Sequence, residues 1–186
     1  MGYIITAIVI ALVIALVAMV VSMYNRFIRL RNNAREAFST MDTYLTKRFD
    51  LIPNLVETAK GYAKHETEAF EKVIQARNMV QASGNMEQKL AGENMLSGTL
   101  KSLFAVMENY PELKADAHFL QLQRQLETVE SEILNSRKYY NGTVKMLNNA
   151  IEMFPSNIIA GIFHFEKMPL YEVSDEAKRE NVQVKF

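Results

Sequence analysis

The chain of 186 residues has no cysteine and no tryptophan, and only 7 glycines and 4 prolines. Without cysteine there is no disulfide framework, no thiolate ligand or nucleophile, and no residue for a thioether-linked lipid; the redox compartment stays open. So few breakers over such a length favour long helices over a turn-rich β fold. An excess of one charge is lacking too. Lysine plus arginine number 21 against 21 for aspartate plus glutamate, so nothing marks a general nucleic-acid binder. Catalytic patterns are equally scarce. His65, His118 and His164 stand on separate segments, and His65-Glu66-Thr67-Glu68 lacks the second histidine of a zinc-binding helix. No glycine-rich phosphate loop, nucleophile elbow or pair of carboxylates on a shared face is visible. The expectation is a protein with no enzymatic activity, no cofactor and no bound metal.

What is present is a long apolar run. Tyr3 to Met23, YIITAIVIALVIALVAMVVSM, holds neither charge nor proline. As a helix it is roughly 32 Å long, the thickness of a bilayer's hydrocarbon core. The run is too long for a signal-peptide core, its head is uncharged Met-Gly, and no A-x-A follows, Val20-Val21-Ser22 being a weak substitute, so a retained single-pass anchor over 3–23 is expected. Arg26, Arg29, Arg31 and Arg35 follow the run, while no lysine or arginine precedes it. Basic residues stay on the cytoplasmic side, which puts the N-terminus outside and the body inside. An extracytoplasmic body is the alternative. Arg26, Arg29 and Arg31 could also touch anionic head groups. Ala7, Ala11 and Ala15 recur at the spacing that lets membrane helices approach closely, a motive for homo-oligomers.

Residues 24–170 read as a long antiparallel bundle of about four helices, making the chain all-α. The first helix continues out of the membrane, with Phe27, Leu30, Ala34, Ala37, Met41 and Leu45 at the 3–4 spacing of one face. Pro53 is expected to end it in a tight corner, with Asp50 or Asn54 capping the next helix; a kinked continuous helix is the alternative. A second helix then runs to about Ala82, and Ser83-Gly84-Asn85 makes a turn. A third runs from about Met86 to Tyr110, and a fourth from about Leu113 to Glu152. The fourth carries a stripe of Phe119, Leu122, Leu126, Val129, Ile133, Tyr140, Val144, Leu147 and Ile151. Tyr140 reads as a buried bundle tyrosine and Asn141-Gly142-Thr143 as a chance sequon within a helix. After it, Ser156 or Asn157 starts a single helical turn, and Phe163, Phe165 and Leu170 fold back onto the bundle. Residues 171–186 are charged and read as a mobile tail.

The strings YNRFIRLRNNAREAFSTMDTYLTKRFDLIPNLVETAKGYAKHE, ENYPELKADAHFLQLQRQLETVESEI, NSRKYYN and FPSNIIAGIFHFEK cover nearly the whole chain in specific order. By them the chain resembles the LemA family of bacterial membrane proteins. The resemblance implies an N-terminal anchor, a long antiparallel helical body and a small N-terminus outside the cytoplasm; it supplies no catalytic residues. Its distinctive strings fall at expected corners: Arg48, Asp50, Pro53 and Asn54 at the first, and Pro155, Ser156 and Asn157 after the fourth helix. These are expected to meet at the end away from the membrane, as a structural clasp or a partner-docking end. The functional expectation is a non-enzymatic scaffold at the lipid bilayer that binds itself or an unidentified membrane protein. A membrane-shaping oligomer and a ligand-sensing bundle are the alternatives.

Overall fold

The computed structural model describes residues 1–171; of the tail expected over 171–186, Tyr171 is instead buried and the rest lies outside the described residues. The all-α expectation holds: every regular element among the described residues is a helix. These are α1 (Gly2–Lys60), α2 (Thr67–Gln81), α3 (Met86–Met107), α4 (Pro111–Ala115), α5 (Ala117–Glu152) and α6 (Ser156–Ile162). The expected single body of residues 24–170 is divided between two compact units. One comprises Met1–Met41 with Ser136–Leu170, the other Asp42–Asn135 with Tyr171.

In the first unit, α1 starts as the apolar run, whose side chains from Tyr3 to Met19 are exposed all round. Past it, Phe27, Ala34, Ala37 and Met41 are buried along one face, as their spacing requires. They meet the α5 stripe of Tyr140, Val144 and Leu147 in antiparallel sense. Phe27 clusters with Leu147 and Ala150, while the Phe38 and Tyr140 rings lie 5.8 Å apart. The chain then returns as expected, with Phe165 of the expected side chains in the core cluster and Phe163 against the Tyr24 ring. Ile159, Ala160, Phe165 and Met168 pack back, whereas Phe163 and Leu170 remain partly exposed. Asn148 clamps this return: its side-chain amide donates to the Met168 carbonyl (2.9 Å) and its oxygen accepts from the Met168 N–H (3.0 Å). Tyr140 donates its hydroxyl to the Pro169 carbonyl at 2.7 Å, and burial pushes its phenol up to about 12.

The second unit is a four-helix bundle of the α1 end, α2, α3 and the start of α5, around Ile52, Leu55, Phe70, Leu103, Phe119 and Leu126. The corner expected at Pro53 is absent. Pro53 lies inside α1, which ends at Lys60, and the chain turns over 61–66 before α2 begins at Thr67. Neither Asp50 nor Asn54 is therefore a cap. The kinked-helix alternative was the nearer one, and the reason it wins is local. A proline at 53 withholds the N–H that would bond the Phe49 carbonyl and crowds that carbonyl with its ring. Arg77 of α2 supplies the missing donor: its Nε reaches the Phe49 carbonyl at 3.3 Å, and its guanidinium lies 3.6 Å from the Phe49 ring centre. We expect a Pro53→Ala/Arg77→Met double-mutant cycle, read by chemical denaturation, to give about 0.5–1.5 kcal/mol of coupling, because alanine at 53 restores the helical bond and frees Arg77.

The fourth expected helix is split. Tyr110 and Pro111 start the short α4, and α5 begins only after Asp116. Asp116 caps α5 by accepting from the Phe119 N–H at 2.8 Å, and Tyr62 donates its hydroxyl to the same carboxylate at 2.9 Å. The Phe119 bond, and then Tyr62, hold this carboxyl below the usual aspartate range. A depressed acid stabilises the fold above its ordinary value, about 3.9, and loses that contribution as pH falls through the folded value. Asp116→Ala is thus expected to lower the melting temperature at neutral pH, with the gap from wild type closing below about pH 3.9 in a pH series of thermal scans.

Candidate functional site

Arg48 continues the apolar stripe of α1, one helical step from Leu45 and Ile52, and is wholly buried. A buried guanidinium demands partners, and α3 and α5 supply them. One terminal nitrogen bonds the Ser97 hydroxyl at 2.6 Å and Glu130 Oε1 at 2.8 Å; the other pairs with Glu93. Glu93 is itself buried, while the Glu130 side chain is about 40% exposed. Burial alone lowers an arginine's proton affinity, but the fields of Glu130 and Glu93 outweigh it and leave Arg48 raised. Burial pushes the Glu93 carboxyl up, against the opposing pull of Arg48. The cluster therefore combines one fixed cation, one carboxylate resisting ionisation and one partly hydrated carboxylate. Beside it runs a groove of about 370 Å³ lined by Asp42, Phe49, Asp50, Val80, Lys89 and Glu93, with Lys89 paired to Asp42 across it.

Within the second unit, Arg48, Asp50, Pro53 and Asn54 are not gathered into one cluster. Arg48 is core, Asp50 edges this groove, and Pro53 is exposed on α1. Asn54 edges a separate groove with His118 and Gln121. Pro155, Ser156 and Asn157 belong to the first unit and lie beside the end of the apolar run rather than away from it. They open α6, whose Ile159 and Ala160 pack with Val20, Met23 and Phe27, where the apolar run ends. Ser156 closes the end of α5, donating to the carbonyls of Ala150 (2.7 Å) and Met153 (2.8 Å). Of the basic residues after the run, Arg26, Arg29 and Arg35 are exposed; Arg31 is half-buried with its guanidinium 5.5 Å from the Phe165 ring centre.

Side chains at the second corner do tie elements together, Tyr110 with partners that sequence reasoning did not assign. Tyr110 donates to Glu66 at 2.7 Å, and Tyr62 to Asp116, tying the 61–66 turn to the ends of α4. Glu93, Ser97 and Glu130 were missed as well. For Glu93 the signal was legible: Leu90, Glu93, Leu96 and Leu100 share a 3–4 stripe, so Glu93 interrupts an apolar face as Arg48 does on α1. Two opposite charges inside two apolar stripes point to each other.

The model of the LemA family matches residues 37–186, all but the first 36 of the chain. The chain belongs to the LemA family. Protein LemA of Metamycoplasma hominis is 25% identical over 154 residues, covering 81% of this chain and 67% of that protein. Magnetosome protein MamQ of Magnetospirillum gryphiswaldense is 22% identical over 174 residues, covering 80% of this chain and 64% of that protein. The chain thus spans about two thirds of the length of each. The LemA-family match takes in Arg48, Glu93 and Glu130 together with α6, and begins after the apolar run.

Proposed function

We propose that this LemA-family protein is a non-enzymatic, single-pass protein of the bacterial inner membrane whose helical body scaffolds copies of itself or another membrane protein. The observation that carries the reading is the apolar start of α1. Its side chains from Tyr3 to Met19 are left exposed by the described residues, although in water that much bare apolar surface is strongly unfavourable. A lipid environment resolves this, and the length suits one crossing. Scaffolding fits a body built for rigidity, with its interior charges tied to each other. Arg26, Arg29, Arg31 and Arg35 favour a cytoplasmic body.

Two measurements on the intact protein test this. Alkaline extraction of membranes should leave the full chain in the pellet, and recovery of a soluble chain trimmed before Tyr24 sinks the proposal. Crosslinking in native membranes followed by affinity capture and mass spectrometry should give homo-oligomers or one recurrent membrane partner; monomer alone counts against a scaffold. Membrane shaping is the second reading, supported by the name of the magnetosome relative and by the basic residues after the run. It predicts that vesicles reconstituted with the full chain lose their spherical form.

A further inference from the structure

The first unit leaves a set of bulky apolar side chains uncovered at one place. Met153 (61%), Phe154 (79%), Ile158 (52%) and Ile162 (62%) are exposed, all on α6 or the turn before it. The opposite face of α6, Ile159 and Ala160, is buried against α1. Both faces of the element are apolar: one serves the core and the other is left exposed among the described residues.

Its place along α1 says what covers it. α6 packs beside Val20, Met23 and Phe27, the last residues of the apolar run and the first after it. If Tyr3–Met23 fills a hydrocarbon core of about 30 Å, Val20 and Met23 lie at its edge. Whatever sits beside them sits at head-group depth. The surroundings agree. Tyr24 lies 4.8 Å from Phe163 and 5.7 Å from Phe165, an aromatic cluster of the kind found at membrane–water boundaries. A groove of about 330 Å³ opens between α1, α5 and this turn, apolar along Met23, Phe27, Met146 and Phe154, with Arg26 at its rim. An acyl chain and its phosphate have that combination of surfaces.

We propose that the segment Met153–Phe163 is a second membrane contact, an interfacial element whose Phe154, Ile158 and Ile162 enter the head-group and upper acyl region of the same leaflet in which the span ends. It rests on the reading of Tyr3–Met23 as a membrane span. An apolar face in this position buries about 5–10 Å into the boundary. The span and this segment together make a two-point attachment, which fixes the rotation of α1 about its own axis as well as its depth.

The chain has no cysteine, so single substitutions give unique labels. Ile158→Cys, Ile162→Cys, Leu12→Cys and Lys138→Cys of the full chain, each carrying an environment-sensitive fluorophore, are reconstituted in vesicles containing lipids brominated either high or low on the acyl chain. Lys138 is exposed on α5, roughly 21 Å along the helix from Glu152, and reports water. The expected result is loss of most emission at 158 and 162 with high-brominated lipid and less with low-brominated lipid. Leu12 should show the reverse order, and Lys138 no quenching. Labels at 158 and 162 quenched only by aqueous iodide, with Leu12 still quenched by lipid, overturn the second contact and leave the span intact. Shielding from both quenchers, with crosslinks between copies through 158, overturns it in favour of a second copy of this chain. An unquenched Leu12 removes the span reading and this inference with it.

Discussion

Arg48→Ala is expected to lower the unfolding free energy by about 3–5 kcal/mol, the typical loss when one partner of a buried ion pair is removed. Glu93 would keep its buried position without the cation that favours its charge, whereas Glu130, partly exposed, can rehydrate. The effect has a sign in pH. Burial already raises Glu93, and removing Arg48 removes the main opposing influence, so its folded value rises further. A raised carboxyl supports the fold fully below its ordinary value of about 4.3 and loses that support as pH rises through the folded value. The deficit of Arg48→Ala should therefore be smaller near pH 5 than at neutral pH, as denaturant titrations in detergent at the two values will read. The double variant Arg48→Met/Glu93→Leu should recover much of the loss, since an apolar replacement of both partners leaves no orphaned charge. A double variant as unstable as Arg48→Ala would mean that the cluster does more than satisfy itself.

The second large effect lies in the apolar run. Ile10→Arg with Ile14→Arg places two charges near the middle of the expected span, at about 2.5–3.5 kcal/mol each, or about 5–7 kcal/mol together. Both side chains are exposed among the described residues, so the helical body should keep its melting behaviour. Alkaline extraction should move the variant from the membrane pellet toward the soluble or aggregated fraction. Unchanged pelleting would mean that other surfaces hold the chain at the membrane. Because Ile158 and Ile162 are untouched, residual salt-resistant association of the variant would itself measure the second contact.

The stripes were the most legible part of the sequence. Phe27, Ala34, Ala37, Met41 and Leu45 are buried in α1, and Phe119, Leu126, Ile133, Tyr140, Val144 and Leu147 in α5, because a 3.6-residue period on a long breaker-poor segment admits few other readings. The corners were less legible, each for a physical reason. Pro53 carries the local signal of a helix end, and only a donor arriving from 24 residues downstream, Arg77, cancels it. Asp116 looks like any surface acid until Tyr62 and the Phe119 N–H converge on it and divide α4 from α5. Among the candidate site residues, Arg48 was singled out, but as part of a corner. Its true setting needed Glu93 and Glu130, from two other helices, to be brought within bonding distance. The placement of Pro155, Ser156 and Asn157 was not legible because an up-down pattern does not say how far along α1 a long α5 returns. A 36-residue α5 carries the following turn back to the end of the apolar run.

The Phe49 carbonyl leaves one more consequence. α1 gives up a rung of its own ladder at Pro53, and α2 holds the gap with Arg77 as a splint holds a weakened rod. With α2 seated, the rod is stiff across the proline; with α2 lifted, the carbonyl must turn to water and α1 gains a joint between Phe49 and Pro53. Any influence that prises α2 away thereby decides whether this helix can flex at all, and amide exchange around residues 49–56 should quicken in step with loosening of α2.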